Sequence, residues 1–337
     1  MDALFDSGSP ADAHIPGLLW AYKFSAEGCG RKLGPDIAYD DLTTLDGWVW
    51  LHFSLADERA RQFVLQLPGL PDAAKATLID PDEHLCVALN DSTVHGIFSD
   101  LQRDLGGKTN DIGKLHFAIN DHLVVSMRRV ALHSVEETRR TIVRGKNIVT
   151  AVGLLEEIIQ QFSTAVQTTL AGLSDDLDQI EDRVLDHGFS DERQKLVPAR
   201  RLAAQLHRQL LALRSLFHRI EVMAHPKLPQ GIALVAAHLS QGLDALDHEA
   251  INLQDRARLL YEEINSQITS ETNDHLHLLS IITALLLPPT LVTGVFGMNA
   301  KGLFLSETEG GFYYALGICF MSIVLAYLVL RRFKIMK

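Results

Sequence analysis

The sequence predicts an α+β membrane protein with an N-terminal cytoplasmic α/β domain, a long helical stalk or funnel, and two C-terminal transmembrane helices. Three observations carry this. Two uncharged runs near the C-terminus, 278–300 and 310–330, hold 23 and 21 residues, each meeting the roughly 20 residues that a helix needs to cross a bilayer. Ahead of them, apolar residues recur at helical spacing over stretches long enough for a coiled coil or stalk. Ahead of those, residues 17–146 alternate β-branched and aromatic runs with turn residues, the pattern of strands in a mixed domain.

Within 17–146, "GLLWAYKF", "GWVWLHFSL", "LCVALN", "VHGIFSDL", "KLHFAIN" and "HLVVSMRR" read as strands, and "DERARQFVLQL" and "DAAKATLI" as helices between them. The segment before it, 1–16, is acidic and loop-like. It lacks the basic start and apolar core of a cleaved signal peptide, and we expect it to be disordered. From 147 to 277 the pattern changes to helices. The first, "VGLLEEIIQQFSTAVQTTLAGLSDDLDQIEDRVLD", is broken at Gly188, and the second is closed by Pro226 and Pro229. The third starts near Ile232 and meets no strong breaker before Pro288, so the simplest expectation is one helix that enters the bilayer without a joint.

Orientation follows from flanking charge. The tail 331–337 carries Arg331, Arg332, Lys334 and Lys337, and positive flanks stay in the cytoplasm. Two spans bring the chain back to one side, so both termini are expected in the cytoplasm and the link 301–309 outside. Phe312, Tyr313 and Tyr314 open the second span, where an interfacial aromatic belt belongs.

The formal net charge is −11. That disfavours phosphate backbones, so no nucleic-acid partner is expected. A negative field concentrates cations, although it also serves solubility alone. Cys29, Cys86 and Cys319 are scattered and form no C-x-x-C, which implies neither a disulfide framework nor a local thiolate site. No P-loop, G-x-S-x-G or H-E-x-x-H is present, so ATP-driven transport and common hydrolytic chemistry lack support.

One face of the third helix is unusual. Steps of three and four back from Gly297 give Gly294, Thr290, Leu287, Thr283, Ser280, Leu276, Asn273, Thr269, Ser266 and Glu262. A 3.5-residue period is the seam along which helices wind around each other, and such seams are normally apolar. A polar seam inside a bilayer faces protein or water, because lipid cannot satisfy it. Several copies around a wet axis fit this. In the plainer alternative the hydroxyls bond their own backbone carbonyls and face neighbouring helices. Leu276 and Leu287 would form apolar rings in the path, able to gate by dewetting. Leu253, Ala257, Leu260, Ile264 and Ile268 form an opposite, apolar stripe, expected to pack on the preceding helices. Pro288 and Pro289 withhold two backbone donors.

At the outer end of the first span stands Phe296-Gly297-Met298-Asn299. Glycine permits close approach between copies. A ring of Asn299 carbonyls would hold a cation through its hydration shell, which suits a divalent ion that dehydrates reluctantly. "FGMN" closing the first of two C-terminal spans, after a long helix and before a basic tail, resembles the CorA family of divalent metal cation transporters. "PGLLWAYKFSAEGCGRKL" followed by "WVWLHFSL" resembles its ZntB-like, zinc-associated branch. The resemblance covers nearly the whole chain beyond about residue 15. It implies a homopentamer, a funnel of α/β domains and long helices, and a pore lined by the first span. Gly297, Met298 and Asn299 would form the outer entrance, with Thr290, Leu287, Thr283, Leu279 and Leu276 at or near pore-facing levels. Ser280 and Asn273 continue that line on the polar face. The cargo implied is Zn2+, by passive or proton-coupled movement, with Mg2+, Co2+ or Ni2+ as the alternative, and no tightly bound cofactor is expected. The chain departs from the family in its outer loop. "AKGLFLSETEGG" has neither the Met-Pro-Glu of magnesium-type members nor the Gly-Gly-x-Pro of ZntB-like ones. Lys301 opposes a cation at the entrance, and Glu307 and Glu309 attract one.

Further metal-ligand candidates are His275 and His277 at the inner boundary, and Asp255 and Glu262 on the polar seam or its continuation. An H-x-H pair on a helix points to different sides, so chelation needs a ring of copies, and interfacial polarity is the plainer account. Asp175, Asp176, Asp178, Glu181, Asp182 and Asp186 crowd one helix, as a solvated face or as a divalent-ion sensor. Two other functions compete with transport. A membrane-anchored enzyme needs a constellation of acid–base residues in 17–146, and the spacing there shows none. An oligomeric metal sensor without conduction leaves the polar seam without a purpose.

Overall fold

The computed structural model describes residues 15–34, 47–103, 111–187, 190–223, 228–298 and 310–332. By internal contacts the chain divides into two units. The first is Met1–Arg183 with Gln194–Arg258, and the second is Val184–Arg193 with Leu259–Lys337.

The first unit is built on a seven-stranded mixed sheet: β1 Leu18–Phe24, β2 Gly30–Lys32, β3 Trp48–Ser54, β4 Cys86–Asn90, β5 Thr93–Leu101, β6 Ile112–Ile119 and β7 Leu123–Arg128. The order is β2-β1-β3-β7-β6-β5-β4. β3 and β7 pair in parallel, Val49 opposite Leu123 through Ser54 opposite Arg128, and the other neighbours are antiparallel. All six strands read from the sequence are present. The seventh, β2, is a three-residue edge strand, too short to leave a periodic signal. Gly47 leads into β3 with φ +99°, and a Cβ there would stand 1.8 Å from the Phe24 carbonyl oxygen, so only glycine fits. Asp91 takes φ +53° in the two-residue loop between β4 and β5, as a tight hairpin requires.

Helices α1 (Glu58–Gln66) and α2 (Asp72–Leu78) follow β3. Asp57 caps α1 by accepting from the Arg59 amide at 2.9 Å. Ala60, Val64, Ala74 and Leu78 pack with Val49, Leu51, Phe53, Val125 and Met127 of the sheet, and Ile15 joins this core. The opposite sheet face is aromatic and polar. Trp20 stacks on His52 at 4.3 Å, Phe24 on Trp48 at 3.9 Å, and the Trp50 indole N–H donates to Ser126 Oγ at 2.8 Å. Helix α3, His133–Val143, was not anticipated from sequence. Its cap residue, Leu132, has no capping side chain. Buried Asp100 of β5 substitutes, accepting from the Ser134 amide at 3.1 Å and hydroxyl at 2.5 Å.

Three long helices follow: α4 Ala151–His187, α5 Ser190–Val222 and α6 Ile232–Gly297. On α6 the buried residues Ala236, Leu239, Leu243, Leu246, Ala250, Leu253, Ala257, Leu260 and Ile264 step by three and four, as a coiled-coil seam does. Ala199, Ala203, Leu206, Leu210, Leu213, Phe217 and Ile220 do the same on α5. Polar cross-links also join the long helices within the first unit. His207 Nδ1 lies 2.6 Å from Asp247 Oδ1 and Arg214 2.6 Å from Asp244, joining α5 to α6. Arg256 joins α6 to Asp178, at 2.6 Å, and to Glu181 of α4.

In the second unit α6 runs on to Gly297 and α7 spans Gly311–Arg332. Both contain stretches long and apolar enough to cross a membrane. Beyond Ile264 no described residue of α6 is buried, which a span that meets lipid or other copies permits.

Candidate functional site

The polar face singled out from sequence lies on one unbroken helix of 66 residues. Pro288 and Pro289 sit inside it without ending it. Neither donates to the carbonyl four residues back. The Cys319 thiol of α7 donates to the Pro289 carbonyl at 3.8 Å, tying the two spans together at that level.

The hydroxyls of this face are locally satisfied. Ser280 Oγ donates to the Leu276 carbonyl at 2.8 Å, Thr283 Oγ1 to Leu279 at 2.8 Å and Thr290 Oγ1 to Leu286 at 2.7 Å. Thr293 donates to the Thr290 carbonyl and Thr269 to that of Asn265. The expected cost of leaving these groups unpaired in lipid is therefore absent, and that part of the argument for a wet axis falls away. A different one remains. A hydroxyl has one donor and two acceptor lone pairs. Once the proton is committed to the backbone, the oxygen is left as an acceptor. A file of such oxygens suits the outward-pointing hydrogens of a hydrated cation.

Two open grooves follow this face. One is lined by Leu279, Ser280, Thr283, Ala284, Leu287 and Pro288. The other runs from Ile282 and Thr283 through Leu287, Thr290 and Gly294 to Met298. They bring together five of the seven residues expected to line a pore: Ser280, Leu279, Thr283, Leu287 and Thr290. Leu276 and Asn273 are exposed on the same helix outside the grooves. Gly297 is the last helical residue, and the Met298 amide donates to the Val295 carbonyl at 3.3 Å. Gly297 does not adopt positive φ, and among the described residues nothing beyond its own helix backbone and chain neighbours lies within 4 Å of a Cβ placed there or at Gly294. Asn299, Lys301, Glu307 and Glu309 lie outside the described residues.

The metal-ligand candidates are not gathered. Asp255, Glu262, His275 and His277 are exposed along α6. Among the described residues no three His, Cys, Asp or Glu side chains come together to hold an ion within one chain. In the acidic run of α4, Asp178 and Glu181 are answered by Arg256, whose guanidinium pKa is raised by these bonds. That cross-link spans 75 residues, and no local signal announces it. The first unit also holds buried titratable groups. Burial, with Arg128 nearby, pushes His52 well below its ordinary value. Burial lowers His95 and His116 as well, and raises Asp100 to about 6 against the hydrogen bonds from Ser134.

Comparison with known proteins agrees with this architecture. Residues 46–332 match the family described as CorA-like Mg2+ transporter protein. The divalent cation transporter CmaX of Pseudomonas aeruginosa is 25% identical over 302 residues, 89% of this chain and 91% of that one. The zinc transport protein ZntB of Yersinia enterocolitica is 23% identical over 326 residues, 92% and 93% of the two chains. Among solved structures, full-length CmaX superposes with a TM-score of 0.79 at 23% identity, over 98% of this chain and all of that one. The CorA magnesium transporter of Methanocaldococcus jannaschii gives 0.74 at 17% identity, over 93% and 97%. At those identities the structures speak for the fold alone. With the family matched across most of its length, the chain belongs to the CorA-like Mg2+ transporter proteins, a family of divalent-cation transporters in the membrane.

Proposed function

We propose that several copies of this chain form a path for a divalent cation through the inner membrane, Zn2+ foremost, lined by the polar face of α6. The observation that carries this is the file of back-bonded hydroxyls at Ser280, Thr283 and Thr290 inside an uncharged span. Residues 278–300 and 310–330 are the spans in this reading, 301–309 is the outer loop, and 331–337 is a basic collar at the inner mouth, with both termini in the cytoplasm. Five copies surround the axis. Gly297, Met298 and Asn299 form the outer entrance, Glu307 and Glu309 draw cations to it, and the charge of Lys301 opposes them. Leu276 and Leu287 are apolar constrictions. Rings of His275 or His277, and Asp255 and Glu262 below them, offer stations at the inner end.

The zinc assignment takes its support from the named ZntB relatives, at 23% identity for the one from Yersinia enterocolitica. The magnesium-type alternative takes its support from the description of the matched family. The test is reconstitution in liposomes carrying a zinc- or magnesium-sensitive dye, with uptake measured at two external pH values. Zinc uptake that grows with a proton gradient supports the assignment and its coupling. Magnesium uptake driven by its own gradient moves the chain to the alternative. No flux of either ion from intact oligomers rejects both cargoes.

A further inference from the structure

We propose that the outward faces of α5 and α4 are the two halves of a contact between neighbouring copies of this chain, with Arg201 of one copy set against Asp175, Asp176 and Asp182 of the next. This rests on the reading of several copies around an axis, and adds to it which surfaces meet.

The two helices are oppositely charged. α4 holds eight Asp or Glu against one Arg, and α5 holds seven Arg or Lys against three Asp or Glu. Part of this is used within the chain. Asp178 and Glu181 bind Arg256, and Arg214 binds Asp244. Asp175, Asp176 and Asp182 on α4, and Arg201 and Arg208 on α5, are exposed and make no ion pair among the described residues. Their direction follows from helix periodicity. Ala199 and Ala203 are buried on α5, and Leu173, Leu177, Ile180 and Val184 on α4, so Arg201, Asp175 and Asp182, two positions away, lie on the far side, with exposed Asp176 at its flank. Val197 and Leu211 share Arg201's face and are 54% and 49% exposed, an apolar flank for the charge. The facing stretch of α4 offers small residues, Thr168 and Ala171.

The charges also stand at one level. α5 runs antiparallel to α6, since His207 pairs with Asp247 and Arg214 with Asp244. Moving from Asp247 to Arg256 along α6 covers roughly 13 Å. The same distance back along α5 from His207 arrives within a turn of Arg201. Arg256 in turn is bonded to Asp178 and Glu181, between Asp176 and Asp182. Copies held in one membrane share their height, so these groups face each other across a ring. A closed ring of more than two copies needs a different, complementary patch on each side of every chain. Two faces of opposite charge at one height meet that requirement, whereas α5 against α5 would set Arg201 against itself.

The test uses the full chain with Cys29→Ser, Cys86→Ser and Cys319→Ser, coexpressed in two differently tagged forms. One form carries Arg201→Cys and the other Asp175→Cys or Asp182→Cys. Oxidation is expected to link the two tags, since a disulfide needs Cα atoms within about 7 Å, and neither form is expected to link to itself. In parallel, Arg201→Asp is expected to raise the protein concentration at which oligomers persist in native mass spectrometry by roughly tenfold, through like-charge opposition. Adding Asp175→Arg and Asp176→Arg is expected to restore it. Intact oligomers with no mixed link and no response to reversal overturn this surface and leave the multi-copy reading standing. Monomers under every condition overturn both.

Discussion

At the scale of single residues, buried titratable groups make the first unit sensitive to pH in two opposing ways. Asp100 has its folded pKa raised to about 6 by burial, above its ordinary value. Its stabilising contribution is complete below the unfolded pKa and is lost as pH rises through the folded one. His52, His95 and His116 are lowered by burial, so their contribution is present above the unfolded value near 6.5 and is lost as pH falls. Between pH 7 and 5 the two effects oppose each other, the aspartate's contribution growing while that of the histidines is lost. Asp100→Asn isolates the other sign. The stability of the native chain relative to this variant is expected to rise by about 2 kcal/mol from pH 7 to 4, measured by melting in detergent. A flat difference would show that Asp100 is not held against ionisation. On the polar face of α6, Thr290→Val keeps the shape and removes the outward oxygen. If that oxygen meets the hydrated ion, flux in liposomes drops roughly tenfold, the effect of losing about 1.4 kcal/mol at the barrier, while assembly is unchanged. Equal flux would place Thr290 against another helix.

At the scale of elements, burial separates two kinds of contact among the long helices. Leu243 is fully buried on the three-four seam of α6. Leu243→Ala is expected to destabilise the first unit by about 2–5 kcal/mol through lost transfer energy and a cavity. Arg256 is 37% exposed and its partners Asp178 and Glu181 are 54% and 44% exposed. Solvent screens such pairs, so Arg256→Ala is expected to cost under about 1 kcal/mol and to cost less in high salt. Denaturant melts of the two variants separate these cases. A larger loss for Arg256→Ala than for Leu243→Ala would mean that its charges matter more than their exposure suggests. The hydrophobic seam therefore holds the helices together, and the exposed ion pairs add little to it.

At the scale of the whole molecule, the two apolar helices bury little of their surface within one chain. The apolar window of α6 contributes nothing to the buried core and that of α7 almost nothing. Leu279, Leu287 and Met298 are 60%, 63% and 61% exposed. Lipid can cover the leucines, and the back-bonded hydroxyls of the polar file carry no unpaired donor into it; the proposed ion path is what adds other copies. Asn299→Ala is expected to leave the oligomer intact, by native mass spectrometry, and to abolish divalent uptake. A variant that still transports would remove the Gly-Met-Asn turn from the ion path.

Much of this protein is written in local periodicity. Six strands, the long helices and both apolar segments follow from β-branched and aromatic runs bounded by turn residues, three-four spacing and uncharged length, because each depends on residues close in sequence. The polar file on α6 was legible for the same reason, and so was the alternative that its hydroxyls bond the backbone, since a helix brings residue i to the carbonyl at i−4. Only the tertiary structure decided what distant residues do for one another. Helix α3 starts without a capping side chain of its own, and Asp100 caps it from 34 residues away. Arg256 draws two carboxylates of α4 out of what reads as a free acidic run. Trp20, His52 and Ser126 meet across three strands whose register no single strand encodes. Such contacts depend on which elements pack together, and that choice is made by the summed burial of whole faces rather than by any local run of residues.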